Sequence, residues 1–209
     1  MILMLNGSLK GKSGNSQYFM NHLANEIRQI SDAECKSIQI RDVLKNDLEI
    51  FVKNLQAADA LVIGAPLYVD GLPAQVLRLM EMLLESHKED FLNKPVYVVS
   101  NLGFYEGEQI AHLFDMVENW CARMGMTYGG GIAIGAGPMI RKLKTMPLKK
   151  GFNKAIGLGI EKLAGCITKR TTTANIYAKT SIPRCIYLKA AHSMFRNILK
   201  ENGAPIDGR

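Results

Sequence analysis

The first sixteen residues leave this chain few choices of fold. Met1-Ile2-Leu3-Met4-Leu5 is an uncharged apolar run that halts at Asn6-Gly7-Ser8. The polar stretch Leu9-Lys10-Gly11-Lys12-Ser13-Gly14-Asn15-Ser16 follows, and apolar residues then return at helical spacing, at Phe19, Leu23, Ile27 and Ile30. A strand, a tight loop and a helix thus succeed one another with no residue to spare. Such a loop aims backbone N–H groups and hydroxyls at a helix N-terminus, where the helix dipole favours an anion. Ser13, Asn15 and Ser16 are good capping types, and Gly11 and Gly14 let the backbone come close to a ligand. The stretch reads as a cradle for a phosphate.

The rest of the chain repeats the alternation. Residues 34–40 alternate in polarity and read as a second strand, near a sheet edge. A short turn or helix and then a surface helix span 42–58. Ala60-Leu61-Val62-Ile63-Gly64 is a continuous apolar run, as suits a central parallel strand buried on both faces. It enters Ala65-Pro66-Leu67-Tyr68-Val69-Asp70-Gly71-Leu72-Pro73, and a helix carrying Val76, Leu79, Met80 and Leu83 follows. Residues 94–100 form a fourth strand ending at Asn101-Leu102-Gly103-Phe104-Tyr105-Glu106-Gly107, 108–124 a long helix, and 128–135 a glycine-rich fifth strand. A fifth helix is expected within 147–167, a polar loop over 169–182, and a last helix after Pro183, with Gly203 just past its end. Alternating strands and helices imply a parallel sheet covered on both faces. In such sheets ligands bind beyond the carboxyl ends of the strands. With strand order 2-1-3-4-5, the loops after strands one, three and four are neighbours.

Charge and cysteine narrow the classes. Residues 1–140 hold 11 Lys/Arg and 16 Asp/Glu, whereas 141–209 hold 15 and 3, so a chain of net +7 has a basic C-terminal part. That part is read first as a solvated face and second as a partner for an anionic cofactor; no nucleic acid is expected. No apolar run approaches the ~20 residues of a membrane span, and a cytoplasmic protein is expected. Cys35, Cys121, Cys166 and Cys185 form no CxxC pair, so zinc and iron–sulfur spacings are absent, and buried reduced thiols are expected. His22, His87, His112 and His192 are scattered through helical stretches, and no metal site or nucleophilic triad assembles from them.

Two common phosphate loops do not match. A Walker A loop needs four residues between its glycines, but Gly7 to Gly11-Lys12-Ser13 has three, and the third strand does not end in a magnesium-binding Asp. A dinucleotide fingerprint fails at its first position in Asn6-Gly7-Ser8-Leu9-Lys10-Gly11. Asn6-Gly7-Ser8-Leu9-Lys10 with Ser13-Gly14-Asn15-Ser16 instead resembles the phosphate loop of the NAD(P)H-dependent FMN reductases. Gly64-Ala65-Pro66-Leu67-Tyr68 followed by Leu72-Pro73-Ala74-Gln75-Val76-Leu77 resembles their second signature. The likeness spans about residues 1–135.

That resemblance implies a flavodoxin-like three-layer α/β sandwich, with a five-stranded parallel sheet of order 2-1-3-4-5 and a C-terminal helical extension. The chain would be a single domain, its core about 1–167 and its last loop and helix 168–209. It implies FMN as cofactor, NAD(P)H as co-substrate, and a small electron acceptor such as a flavin, a quinone, or a nitro or azo compound. Ser8, Lys10, Ser13, Gly14, Asn15 and Ser16 would hold the phosphate, with Lys12 adding charge beside it. Pro66, Leu67, Tyr68, Val69 and Asp70 would run along the flavin ring, and Asn101, Leu102, Gly103, Tyr105 and Glu106 would close its other side. No protein side chain is expected to be catalytic, because the flavin carries the chemistry. A flavodoxin-type electron carrier and a flavin-free module on the same fold are the alternatives. The final helix, with its apolar stripe from Tyr187 to Leu199, either packs on its own subunit or builds a dimer or tetramer; docking on a membrane surface is a further option.

Overall fold

A computed structural model describes residues 1–46, 48–142 and 147–203. Six strands form one sheet: β1 (Ile2–Asn6), β2 (Cys35–Gln39), β3 (Ala60–Pro66), β4 (Pro95–Asn101), β5 (Thr127–Ile134) and β6 (Ile176–Ala178). Their order is β2-β1-β3-β4-β5-β6, and every neighbouring pair is parallel. The expected order 2-1-3-4-5 is present, and the sixth strand extends it. The helices are α1 (Asn15–Ile30), α2 (Ile40–Asn46), α3 (Leu48–Ala57), α4 (Ala74–Ser86), α5 (Ala111–Met124), α6 (Gly137–Lys142), α7 (Lys154–Lys169) and α8 (Arg184–Glu201).

Period-two alternation sends the two sides of each strand into two separate cores. Leu3, Leu5, Leu61, Ile63, Val96 and Val98 face α2, α3, α4 and α5, where Phe51, Leu55, Val76 and Phe114 meet them. Ile2, Met4, Val62, Tyr97, Val99 and Ile132 face α1 and α7, where Phe19, Leu23, Ile160 and Leu163 meet them. Because both faces are covered, β1 and β3 are buried along their whole length, which is why they read as uncharged runs. Among the described residues Tyr97 is the largest side chain that is wholly shut off from solvent. Its Oη donates to the carbonyls of Cys166 and Thr171, at 3.2 and 3.0 Å, and burial pushes its pKa up to about 12. Gly129 makes room for the ring: a Cβ there would lie 2.3 Å from Tyr97 Cε1.

Two expectations are corrected. Residues 169–182 are not all loop, because Ile176–Ala178 pairs with Ile132–Ile134 and caps the sheet edge beyond β5. The cysteines are not all buried: Cys121 is, Cys35 and Cys166 are half-buried, and Cys185 is exposed. The last helix starts after Pro183 as expected, and Gly203, at φ +67°, sits just past its end with its N–H on the Lys200 carbonyl. Of the basic C-terminal part, residues 143–146 and 204–209 lie outside the described residues. No helix among the described residues is long and apolar enough to cross a membrane.

Candidate functional site

Asn6, the last residue of β1, organises the first loop. Its Nδ2 lies 3.0 Å from the Gly11 carbonyl, 3.0 Å from Gln17 Oε1 and 2.8 Å from Gln39 Oε1, and its Oδ1 accepts the Ser8 N–H at 3.0 Å. All three amide side chains are buried, so the low dielectric strengthens a network that is fully partnered. The network pins both ends of the loop. Gly11 turns with φ +53°, which a side-chain-bearing residue adopts only under strain. Ser8 Oγ accepts the Lys10 N–H at 3.3 Å, and Ser13 Oγ donates to the Lys10 carbonyl at 2.9 Å. Gly14 precedes α1 and offers it no side-chain cap, as suits a helix start meant for a ligand. A Cβ on Gly14 would fall 2.7 Å from Ser8 Oγ, so glycine keeps the loop flat against that hydroxyl.

The loops after β3 and β4 are laced to the first. Gly7 N donates to Gly64 O at 2.8 Å, and Leu67 N donates to Asn101 O at 2.9 Å. Asn101 Nδ2 donates to Ser16 Oγ at 2.9 Å, a buried bond between β4 and the first turn of α1. After Leu67 the chain makes a hairpin turn in which Tyr68 and Gly71 exchange both backbone hydrogen bonds, at 3.0 and 3.1 Å. Its two central residues, Val69 and Asp70, both have positive φ, +47° and +56°. For a β-branched residue such as valine that is a strained conformation, held here on a fully exposed turn tip.

The three loops enclose a cleft of about 140 Å³ at the carboxyl ends of the strands. Ser8, Lys10, Asn15 and Ser16 line it from the first loop and the start of α1, Pro66, Leu67 and Tyr68 from the end of β3, and Asn101, Leu102 and Gly103 from the end of β4. Ten of the sixteen residues singled out in the sequence therefore meet in one place. Hydroxyls, an amide, a lysine and the start of a sixteen-residue helix are a donor set suited to a dianionic phosphate. Open space lies over Gly103, where an added Cβ would meet nothing within 4 Å. The enclosed volume is below the ~300 Å³ at which pockets usually surround a whole ligand. The cleft is built to grip one end of a ligand and leave the rest at the surface. These features fit the phosphate end of FMN.

The other six divide. Ser13 and Gly14 shape the loop without lining the cleft, and Val69 and Asp70 sit on the exposed hairpin tip beside Tyr68. Tyr105 and Glu106 are not brought to the cleft. Tyr105 Oη donates to the carbonyls of Thr180 and Ile182, at 3.3 and 2.7 Å, and its ring packs on Tyr187. Glu106 pairs with Arg184 at 2.9 Å. Desolvation raises the Glu106 carboxyl and this hydrogen bond lowers it, leaving its pKa below the ordinary value. Both residues anchor the C-terminal segment instead. Lys12 also points elsewhere: it borders an open hollow of about 610 Å³ beside β2, with Lys36 and Asp42. Sequence reasoning missed Asn6, Gln17 and Gln39; the available signal was a polar residue closing an apolar strand.

The family model described as NADPH-dependent FMN reductase matches residues 1–137. No curated protein sequence matches the chain. Among solved structures, an apo NADH:FMN oxidoreductase is 11% identical over 82% of this chain and 90% of its own, with a TM-score of 0.65. A flavone reductase is 11% identical over 83% and 66%, at 0.60, and a Streptococcus pneumoniae flavodoxin 14% identical over 81% and 99%, at 0.57. At these identities the likeness is one of fold.

Proposed function

The chain belongs to the NADPH-dependent FMN reductase family, and from that premise we propose how this FMN-dependent NAD(P)H oxidoreductase uses its cleft. FMN, when bound, supplies the hydride and electron transfer. Ser8, Lys10, Asn15 and Ser16, with the start of α1, bind its phosphate; Ser13 and Gly14 hold the loop in shape. Pro66, Leu67 and Tyr68 with the Val69–Asp70 turn would hold the flavin from one loop, and Asn101, Leu102 and Gly103 from another. The chain's own part would be to bind and orient the flavin and to leave it within reach of the nicotinamide and then of a small acceptor. A flavin, a quinone, or a nitro or azo compound meets that description.

The observation that carries this reading is the convergence of three loops, far apart in sequence, on one cleft whose donors suit a phosphate. We propose further that the chain is one domain. We also infer self-association, because Phe195, Ile198 and Leu199 on α8 are exposed and close together on the apolar stripe. The test of function is an absorbance spectrum of the FMN-loaded protein during anaerobic titration with NADPH. The flavin bands are expected to bleach stoichiometrically and to return when an acceptor is added. Bands that persist under excess NADPH and NADH would leave an electron carrier rather than a reductase.

A further inference from the structure

We propose that the open edge of β2 is a docking groove for an extended segment of another protein, one whose side chains alternate between apolar and acidic. The groove lies apart from the flavin cleft and does not depend on the reductase reading. β2 is an outer strand of the sheet and pairs with β1. Ile2 N donates to Glu34 O at 2.7 Å, so Glu34, Lys36 and Ile38 turn their backbone groups toward β1. By alternation, the N–H and C=O of Cys35 and Ser37 point outward from the sheet. An outward row of this kind is a template for a further strand. The hollow of about 610 Å³ runs along it, with Lys36, Ser37, Ile38 and Gln39 as its floor.

Edge strands are commonly blocked by a lysine or by a covering loop. Here the lysine is drawn aside: Lys36 Nζ donates to Asn54 Oδ1 on α3 at 2.7 Å. The two walls of the groove differ. Lys36 and Ile38 turn to the α3 side, where Ile38 packs on the core and Ile50 stands 57% exposed. Gln39 turns to the α1 side, where its Nε2 donates to Gln17 Oε1 at 3.0 Å, and Asn21 and Lys12 continue that wall. Lys12 makes no ion pair among the described residues, and Asp42, also in the lining, lies 3.8 Å from Arg41. Successive side chains of an added strand face opposite walls. Apolar ones would meet Ile38 and Ile50, and carboxylates would meet Lys12. Backbone hydrogen bonds supply the affinity of such a complex and the walls its selectivity. A second copy of β2 is a poor occupant, because its own edge is recessed between the same two helices. A single extended segment has no such obstacle. The groove thus accounts for a lysine that the flavin cleft leaves unused and for an isoleucine left in water.

The test uses the full-length FMN-loaded protein and a capped heptapeptide of alternating valine and glutamate, followed by calorimetry and by amide hydrogen exchange. The peptide is expected to bind and to slow exchange at the Cys35 and Ser37 amides. Two control peptides are expected to bind at least about tenfold more weakly: one N-methylated at every residue, which keeps the side chains but cannot donate along a strand, and one with lysine in place of glutamate. Ile50→Asp and Lys12→Ala are each expected to raise the peptide Kd about tenfold, with Tm and FMN Kd near wild type. Ser37→Pro removes an outward N–H and is expected to abolish binding; should it fail to fold, the other two variants decide. The groove is refuted if wild-type protein does not bind the valine–glutamate peptide, if the N-methylated peptide binds equally well, or if protection appears away from β2. It is equally refuted if Ser37 becomes protected as protein concentration rises without peptide, which would give the edge to a second copy.

Discussion

Asn101 Nδ2 donates to Ser16 Oγ across 85 residues of sequence, joining the end of β4 to the first turn of α1 inside the protein. Both residues are almost wholly buried, and both line the cleft. Ser16→Ala removes the acceptor and leaves a buried amide donor unsatisfied. The expected cost is about 1–3 kcal/mol of stability, read by urea denaturation. FMN affinity, read by flavin fluorescence, is expected to fall as well, since the bond fixes two walls of the cleft. Ser13→Ala, at an exposed hydroxyl, is the control and is expected to cost much less on both measures.

Lys10 and Lys12 look equivalent in sequence and are not equivalent in space. Lys10 lines the cleft, whereas Lys12 borders the hollow beside β2. Lys10→Ala is expected to weaken FMN by about tenfold at low salt, as for loss of one charge-assisted contact, and to lessen the salt dependence of binding. Lys12→Ala is expected to leave both nearly unchanged. Equal losses in the two variants would place the phosphate elsewhere in the loop.

Val69 and Asp70 occupy the two positive-φ positions of a hairpin turn, where Asn-Gly is the favoured pair. Placing valine there costs about 1–2 kcal/mol of backbone strain. Replacement by Val69→Asn with Asp70→Gly is expected to raise Tm measurably without FMN. A strained pair beside the proposed flavin site trades stability for function. The same variant is therefore expected to reduce acceptor turnover, which steady-state kinetics checks.

Most of the sheet was legible because parallel strands covered on both faces must be continuously apolar, as β1 and β3 are. β6 was not, because Ile176-Tyr177-Ala178 is too short to show a period, and its pairing depends on the edge that β5 offers. The cleft was legible where loop chemistry is local: Ser8, Lys10 and Pro66 announce themselves by neighbours in sequence. That Tyr105 and Glu106 turn toward the C-terminal segment is not legible, because a strand-end loop does not reveal which way its side chains turn. Their partners, from Thr180 to Arg184, lie more than seventy residues away. Asn6 was passed over because its role needs Gln17 and Gln39, which only the folded sheet brings to it.

Tyr97 gives the protein a pH-dependent stability at the alkaline end. Its phenol is buried and donates to the Cys166 carbonyl in the last turn of α7 and to the Thr171 carbonyl just past it, and its pKa stands near 12 against an ordinary 10.0, chiefly through desolvation. A folded-state pKa raised above the unfolded value means that the native protein holds this proton more tightly than the unfolded chain. The stabilisation is whole below pH 10 and is lost progressively as pH rises toward 12. Tyr97→Phe keeps the ring and removes the hydroxyl, taking the side-chain donor from the Thr171 carbonyl, while the Cys166 carbonyl still accepts the Arg170 and Thr171 N–H groups. It is expected to cost about 1 kcal/mol near neutral pH by denaturant unfolding. The wild-type advantage should shrink between pH 10 and 12, so the two stability curves converge there. A wild-type advantage that stays constant across that window would show that the Tyr97 phenol does not ionise differently in the folded and unfolded states.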